Sequence, residues 1–400
     1  MTHAAKISRG LRLAACAALA GLALTACGAS GDQTSGPGVS VTLPAQTYRE
    51  SAGVLTSGNV AEAVLLGRLD QPETSSTLFN HTVSPDGTRL IALNNEEVLA
   101  WDLLTGELAF RTARLDAVRA YYSPDKTELF TVAPSGRVII YNADSGAENY
   151  AFIGHPEYNN IVAYDPLAGI AAFGGRNGVV RVWDLIGRRA LAEINAHGAD
   201  ITALALSNAG DLLLTTGLDD SARLWRWADR TQIGMLSLDD LQVYRAVFAP
   251  DDSQVALGSQ VDIRLWSTVD DSLTRRLAVP AGGAVDILGY SPAGSYLIGG
   301  NPGSGAQVWN PVTNSPVAAL PELVGSQVSA DFSPDGDLLL TSVLDGEVAV
   351  YNLPAASNGS IPRGAFQTGD AQIFAVEWTS DSRLILMFDA TGPVYVWGVG

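Results

Sequence analysis

The sequence predicts an all-β fold: a single eight-bladed β-propeller of four-stranded antiparallel blades, closed by an N-terminal strand. Three observations carry this. A terminal aromatic recurs at Trp101, Tyr141, Trp183, Trp225, Trp266, Trp309, Tyr351 and Trp397, in steps of 40, 42, 42, 41, 43, 42 and 46 residues. A turn signal precedes each aromatic by 17 or 18 residues, starting at Ser84, Ser123, Asp165, Ser207, Ala249, Ser291, Ser333 and Thr379. The last unit also lacks a strand after its aromatic, while Glu62–Leu69 offers an unattached strand ahead of the first unit.

Within a unit, the turn comes first. Ser, Pro and Gly at positions one, two and four fit a type I turn, with Pro presetting the backbone angle. An apolar run follows, such as Leu212–Leu214 or Leu338–Leu340. An unbroken run of this length suits a strand packed on both faces. A second turn such as Asn177-Gly178 or Asp345-Gly346 is a strong hairpin signal. The next strand ends on the aromatic, and the chain turns through residues such as Gly106 or Gly146 into a fourth strand. A lone sheet of this kind cannot bury both faces; units arranged radially can. Pairing the strand at 62–69 into the last unit would remove an exposed sheet edge. A seven-bladed ring with one degenerate unit outside it is the alternative.

The N-terminus reads as separate from the fold. Lys6, Arg9 and Arg12 precede a wholly small or apolar run at 13–26. That run is shorter than the roughly 20 residues a membrane span needs. Residues 1–26 therefore read as a secretory signal peptide. Leu24-Thr25-Ala26-Cys27-Gly28 resembles the bacterial lipobox. That resemblance implies a lipoprotein with Cys27 as the acylated first residue, bearing palmitate-type chains. Residues 27–60 read as the lipidated Cys and a flexible tether, with 41–60 able to drape over the domain, and 61–400 as the repeat domain. Cys16 lies in the signal, so the mature chain has no internal disulfide.

Charge narrows the partners. Without the three basic signal residues, the chain has 21 Lys and Arg against 42 Asp and Glu, a net charge near −21. Such a surface repels nucleic-acid phosphates and anionic headgroups. The expected membrane attachment is through lipid, and nucleic acid is not an expected partner.

The period and the Ser-Pro-Asp-Gly…Trp-Asp layout over about residues 62–400 resemble the WD-repeat family, whose units are propeller blades. Trp101-Asp102 and Trp183-Asp184 keep the family's dipeptide; Asn142, Arg226, Ser267, Asn310, Asn352 and Gly398 replace the Asp elsewhere. The fourth unit is nearest the family form. The resemblance implies a buried hydrogen-bond network of His197, Thr216, Asp219 and Trp225. The third unit has His155 but Asn177 at the Asp position, which puts its network in doubt.

Catalytic and metal motifs are sparse. His81, His155 and His197 fall in different units, and no Cys pair or His-x-x-x-His occurs. No metal and no cofactor are expected. Asp251-Asp252 and Asp270-Asp271 read as solvated acidic turns ahead of calcium sites. No Gly-x-Ser-x-Gly or phosphate-loop sequence is present. WD-repeat propellers commonly meet partners near the innermost strands. Counting back from each turn, Phe79, Arg119, Tyr244, Arg245 and Phe374 are the aromatic and Arg candidates for partner binding.

The expectation is a non-enzymatic, lipid-anchored scaffold for proteins of the cell envelope. It would lie on the outer membrane facing the periplasm, or on the outer face of the cell membrane. The alternatives are an exported hydrolase or lyase, or a small-ligand or glycan sensor, at the channel mouth. Convergence of polar groups such as His81 and Asp286 in one pocket would favour the enzyme.

Overall fold

The computed structural model describes residues 48–71, 77–113, 116–279, 283–321, 323–324, 328–343, 347–354, 363–366, 369 and 371–400. The signal peptide, Cys27, the tether up to residue 47 and the Asp345-Gly346 turn lie outside the described residues.

Eight four-stranded antiparallel sheets form the molecule. Blade 1 runs Asn80–Val83, Arg89–Leu93, Glu97–Asp102 and Leu108–Ala113. Blades 2 to 7 repeat this order from first strands at Arg119–Tyr122, Tyr158–Asp165, Ile201–Leu206, Val243–Phe248, Ile287–Tyr290 and Val328–Phe332. Blade 8 takes Ile373–Trp378, Leu384–Asp389 and Val394–Gly398, and completes itself with Val64–Leu69. First strands such as Val328–Phe332 are buried throughout, whereas fourth strands such as Glu148–Ile153 are largely exposed. The first strand is therefore the inner one. The eight-bladed expectation holds.

The turns show why their residues recur. Ser84 Oγ donates to Asp86 Oδ1 at 2.6 Å and accepts from the Arg89 amide at 2.9 Å. Ser123 with Asp125, Ser333 with Asp335, and Thr379 with Asp381 repeat the first bond at the same length. Each hydroxyl thus orients its carboxylate and caps the following strand. The fourth position is left-handed, at φ 74° for Gly87 and 80° for Gly336. Lys126 and Ser382 hold the same conformation at 66° and 60° without a glycine's freedom.

Burial is organised seam by seam. Eight apolar clusters among the described residues each join two neighbouring blades. The cluster between blades 8 and 1 combines Leu386 and Phe388 with Leu90 and Trp101, over Leu66 and Leu69. Since each second strand sits between two clusters, it must be apolar on both faces, as the unbroken runs implied.

The closing strand copies its counterparts in register. In blades 1 to 6 the fourth strand has one extra residue where it meets the aromatic. In blade 1, Trp101 faces Leu108 and Ala100 faces Phe110, so Ala109 is the extra residue. In blade 8, Trp397 faces Leu65 and Val396 faces Gly67, so Leu66 is the extra residue. The shared bulge makes Val64–Leu69 a true fourth strand.

Residues 41–60 were expected to be able to drape over the domain, and the described part, 48–60, packs on the ring. Ser51 and Leu55 are 4% and 1% exposed. The reason is apolar complementarity: Leu55 and Val60 join the cluster between blades 7 and 8, with Leu338, Val350 and Phe366.

Deleting 61–70 should destabilise the domain strongly. Leu66 and Leu69 are each 1% exposed, and cutting such a leucine to alanine alone costs about 2–5 kcal/mol. Thermal unfolding of the deletion should show a clear fall in Tm; an unchanged transition would refute closure by this strand.

Candidate protein-binding face and the blade 4 polar network

Blade 4 carries a buried polar chain. Trp225 Nε1 donates to Thr215 Oγ1 at 3.0 Å. Thr215 Oγ1 lies 2.8 Å from His197 Nε2, and His197 Nδ1 lies 2.7 Å from Asp219 Oδ1. Neutral His197 protonated at Nδ1 satisfies every link: Trp225 gives to Thr215, Thr215 gives to Nε2, and Nδ1 gives to Asp219. Ser221 Oγ donates to Asp219 Oδ1 at 2.7 Å, and Arg223 Nη2 donates to Asp219 Oδ2 at 3.1 Å.

The threonine in this chain is Thr215, which corrects the sequence assignment of Thr216. Side chains alternate faces along a strand. Trp225 lies opposite Leu213, so Thr215 is its diagonal neighbour on the same face. Thr216 lies opposite Ala222 on the other face and bonds to Thr202 Oγ1 at 2.7 Å. Ser221 and Arg223 were missed too; the polar alternation Asp219, Ser221, Arg223 was the available signal.

Burial pushes the His197 imidazole down from its ordinary value, against the pull of Asp219. Burial alone would raise the Asp219 carboxyl, but hydrogen bonds from Ser221, His197 and the Gly198 amide hold it at about 2.

Other blades solve the same problem differently. In blade 3, Phe173 and Val179 occupy the places of Thr215 and Ser221, so the chain cannot form. Trp183 Nε1 donates instead to the Gly154 carbonyl at 2.8 Å, and His155 Nδ1 accepts from the Glu157 amide at 3.1 Å. In blade 5, Trp266 Nε1 donates to Asp271 Oδ1 at 3.0 Å. Buried Arg264 donates to the Ser237 carbonyl and to Asp239, both at 3.2 Å, much as Arg223 donates to the Ala196 carbonyl at 2.8 Å.

The residue after the aromatic also has a visible role. Asp102 Oδ1 accepts from the Leu104 and Thr105 amides at 2.8 and 3.0 Å. Asn142 and Asn310 accept the same pair of amides in their blades. Ser267 Oγ does so at 3.3 and 3.4 Å. The turn needs an acceptor oxygen and no charge, which explains the departures from Asp at these three positions.

The five candidate contact residues do not form one surface. Phe374 is 6% exposed in the core between blades 8 and 1, so it is withdrawn as a partner contact. Its ring packs there against Phe388, at 6.4 Å between centroids. Phe79 packs half-buried between blades 1 and 2, and Arg119 is half-buried at the start of blade 2. Tyr244 and Arg245 are likewise half-buried, next to each other at the start of blade 5. Tyr244 hydroxyl donates to Gln242 Oε1 at 3.1 Å and accepts from Gln260 Nε2 at 3.3 Å, tying two loops. Arg245 reaches the Asp286 carbonyl of blade 6 at 3.3 Å. The loops joining second and third strands here carry Leu218 at 45% and Val261 at 52% exposure. Those two aliphatics escaped the sequence reading because nothing local distinguishes an exposed loop leucine from a buried one.

Potential catalytic groups stand apart. His81 stacks on Phe388 and faces Glu377 between blades 8 and 1, whereas Asp286 is on blade 6. Asp252 is occupied by the Asn208 and Ala209 amides of the neighbouring turn, and Asp271 by Trp266. No group of three metal-ligating residues occurs among the described residues.

Comparison with known proteins agrees with this geometry. Residues 188–226 and 320–352 match the family described as WD domain, G-beta repeat. Each stretch covers the fourth strand of one blade and the first three of the next, except that the second begins at Leu320, the last residue of its fourth strand. Telomerase protein component 1 of Rattus norvegicus is 22% identical over 290 residues, 71% of this chain but 9% of that protein. Transducin beta-like protein 3 of Mus musculus is 24% identical over 309 residues, 73% of this chain and 34% of that protein. The chain thus spans about a third or less of these relatives. The computationally designed Ika8 protein superposes with a TM-score of 0.67 at 16% identity, covering 82% of this chain and 98% of Ika8. The chain is an eight-bladed propeller, and two stretches of it resemble the WD repeat.

Two outcomes test the network. Thr215→Val strands both Trp225 Nε1 and His197 Nε2 and should cost about 1–3 kcal/mol, more than Thr216→Val, in denaturant unfolding. The pH dependence has a definite sign. Below its ordinary pKa of 6.5 the unfolded chain protonates this imidazole while the folded chain resists. Stability is then full above that value and falls as pH drops below it, and Asp219 adds a second loss as pH approaches about 2. His197→Gln should flatten the first fall; an equally steep profile in that variant would count against it.

Proposed function

We propose that this chain is a lipid-anchored scaffold of a bacterial cell envelope that holds protein partners on a rigid propeller. The observation that carries the reading is the loop-end cluster of blades 4 and 5. There the half-buried Tyr244 is tied by Gln260 to the loop bearing the exposed Val261, and blade 4 exposes Leu218 on its own second-to-third-strand loop. Aromatic and Arg groups beside exposed aliphatics are the usual anchors of protein interfaces. Tyr244 is held by two glutamines, so little side-chain freedom is lost on binding. The resemblance of two stretches to the WD repeat supports a binding role for the ring, and His81 and Asp286 stand on different blades, 1 and 6. The lipobox-like segment ending at Cys27 and Gly28 supports attachment through acyl chains, and more than one chain makes such an anchor stable.

Crosslinking in intact cells followed by purification from the membrane fraction tests both parts. Cys27→Ser should release the protein from membranes. Tyr244→Ala with Arg245→Ala should weaken partner capture by roughly 30-fold or more, the scale of a lost hot spot, while leaving the propeller folded. Capture that survives the double substitution would place the interface elsewhere.

A further inference from the structure

We propose that residues 48–60 are a clasp across the one non-covalent join in the ring, with the Tyr48 ring as its key element. Elsewhere, consecutive strands within each blade follow one another along the chain. Inside blade 8, Val64–Leu69 meets Val394–Gly398 from the far end of the sequence. The arm crosses this join. The Arg49 amide donates to the Leu66 carbonyl at 3.1 Å on one side. On the other side, the Ala52 amide donates to the Val399 carbonyl at 2.9 Å, and the Leu55 amide to the Ser382 carbonyl at 2.7 Å. Arg383 Nη2 donates to the Ser51 carbonyl at 2.6 Å and reaches Glu50 at 3.3 Å. The Tyr48 hydroxyl donates to the Leu103 carbonyl of blade 1.

Comparison with the neighbouring blade 1 identifies the part Tyr48 plays; blades 1 and 2 carry an aromatic at this fourth-strand position, Phe110 and Tyr150, and the other blades do not. In blade 1 the fourth-strand residue opposite Ala100 is Phe110, and its ring packs on Gly146 in the third-to-fourth-strand loop of blade 2. The equivalent position in the closing strand is Gly67, opposite Val396, and the equivalent loop glycine is Gly106. A side chain at either glycine would run into the Tyr48 ring. Gly106 also has φ 75°, so two constraints exclude other residues there. The closing strand lacks its own aromatic, and the arm supplies one from outside the blade. Ring closure is thereby coupled to the N-terminal segment: cutting or pulling the arm loosens blade 8 and its seams with blades 7 and 1, and leaves blade 4 unchanged.

The coupling predicts a rescue. In the full-length chain, Tyr48→Ala should lower Tm by about 2 °C or more. It should also speed hydrogen exchange at Val394–Val399 about tenfold, with blade 4 amides unchanged. Tyr48→Phe keeps the ring and should stay near wild type. Gly67→Phe alone should clash, yet in the Tyr48→Ala background it should restore most of the lost protection by placing a ring as Phe110 does. Exchange at Val394–Val399 unaffected by Tyr48→Ala would overturn the proposal. So would a Tyr48→Phe variant as labile as Tyr48→Ala, or a double variant no better than the two single changes combined.

Discussion

The pairing of Val64–Leu69 with Val394–Gly398 is the constraint on which the ring depends. A propeller blade is stable only when both faces of its sheet are covered, and a ring meets that demand only when its last blade is whole. The sequence repeat does not coincide with the blade: each repeat gives its first strand to one sheet and the next three to the following sheet. The mismatch leaves one strand over at the start and one missing at the end. Joining them gives blade 8 a fourth strand that reproduces even the one-residue bulge opposite the aromatic seen in blades 1 to 6.

With closure secured, the blades have latitude in their polar chemistry. What is common to all is apolar: second strands buried on both faces and an aromatic ending the third strand. What varies is how the indole N–H and the loop leading into the blade are satisfied. Blade 4 uses the His197–Thr215–Trp225 chain ending on Asp219, blade 3 a backbone carbonyl, and blade 5 Arg264 with Asp239 and Asp271. A buried polar chain is stabilising only when every member has a partner. Losing Thr at the Phe173 position therefore makes the full network worthless to blade 3, and the remaining members are free to change. Apolar packing carries most seams for that reason.

The legible part of the sequence was what repeats. Eight aromatics and eight turns fixed blade number and strand order, and the leftover segment at 62–69 announced the closure. Parity within a strand was harder to read: Thr215 and Thr216 are adjacent and chemically identical, and only the register against Leu213 and Trp225 separates them. Phe374 was misjudged because its position alone does not say whether its ring is buried: the equivalent Tyr244 lies in the same register shift and stays half-buried. The arm at 48–60 was legible only as a segment able to drape over the domain, because some of its contacts are with residues more than 300 positions away, such as Ser382 and Val399. Its apolar residues, Leu55 and Val60, are too few and too irregular to show a period. The Gly67 and Tyr48 relationship becomes visible only once the blades are superimposed by register.

These features bear jointly on where binding can occur. Most Asp side chains on the turns are engaged within the fold: Asp86 is bound by Ser84, Thr88 and Lys126, and Asp252 by two amides of the next turn. Such carboxylates contribute charge but few free acceptors. The seams are closed by apolar clusters, and the first-to-last junction is covered by the arm. At the loop ends of blades 4 and 5, a fixed aromatic, Tyr244, and an Arg, Arg245, are half-buried, and Leu218 and Val261 leave aliphatic surface uncovered. On a strongly acidic molecule, long-range attraction is weak for acidic partners, so such a contact must draw its affinity from close packing. An interface of that type favours a partner held by shape over one steered by charge, and a rigid closed ring presents that shape without first having to order it.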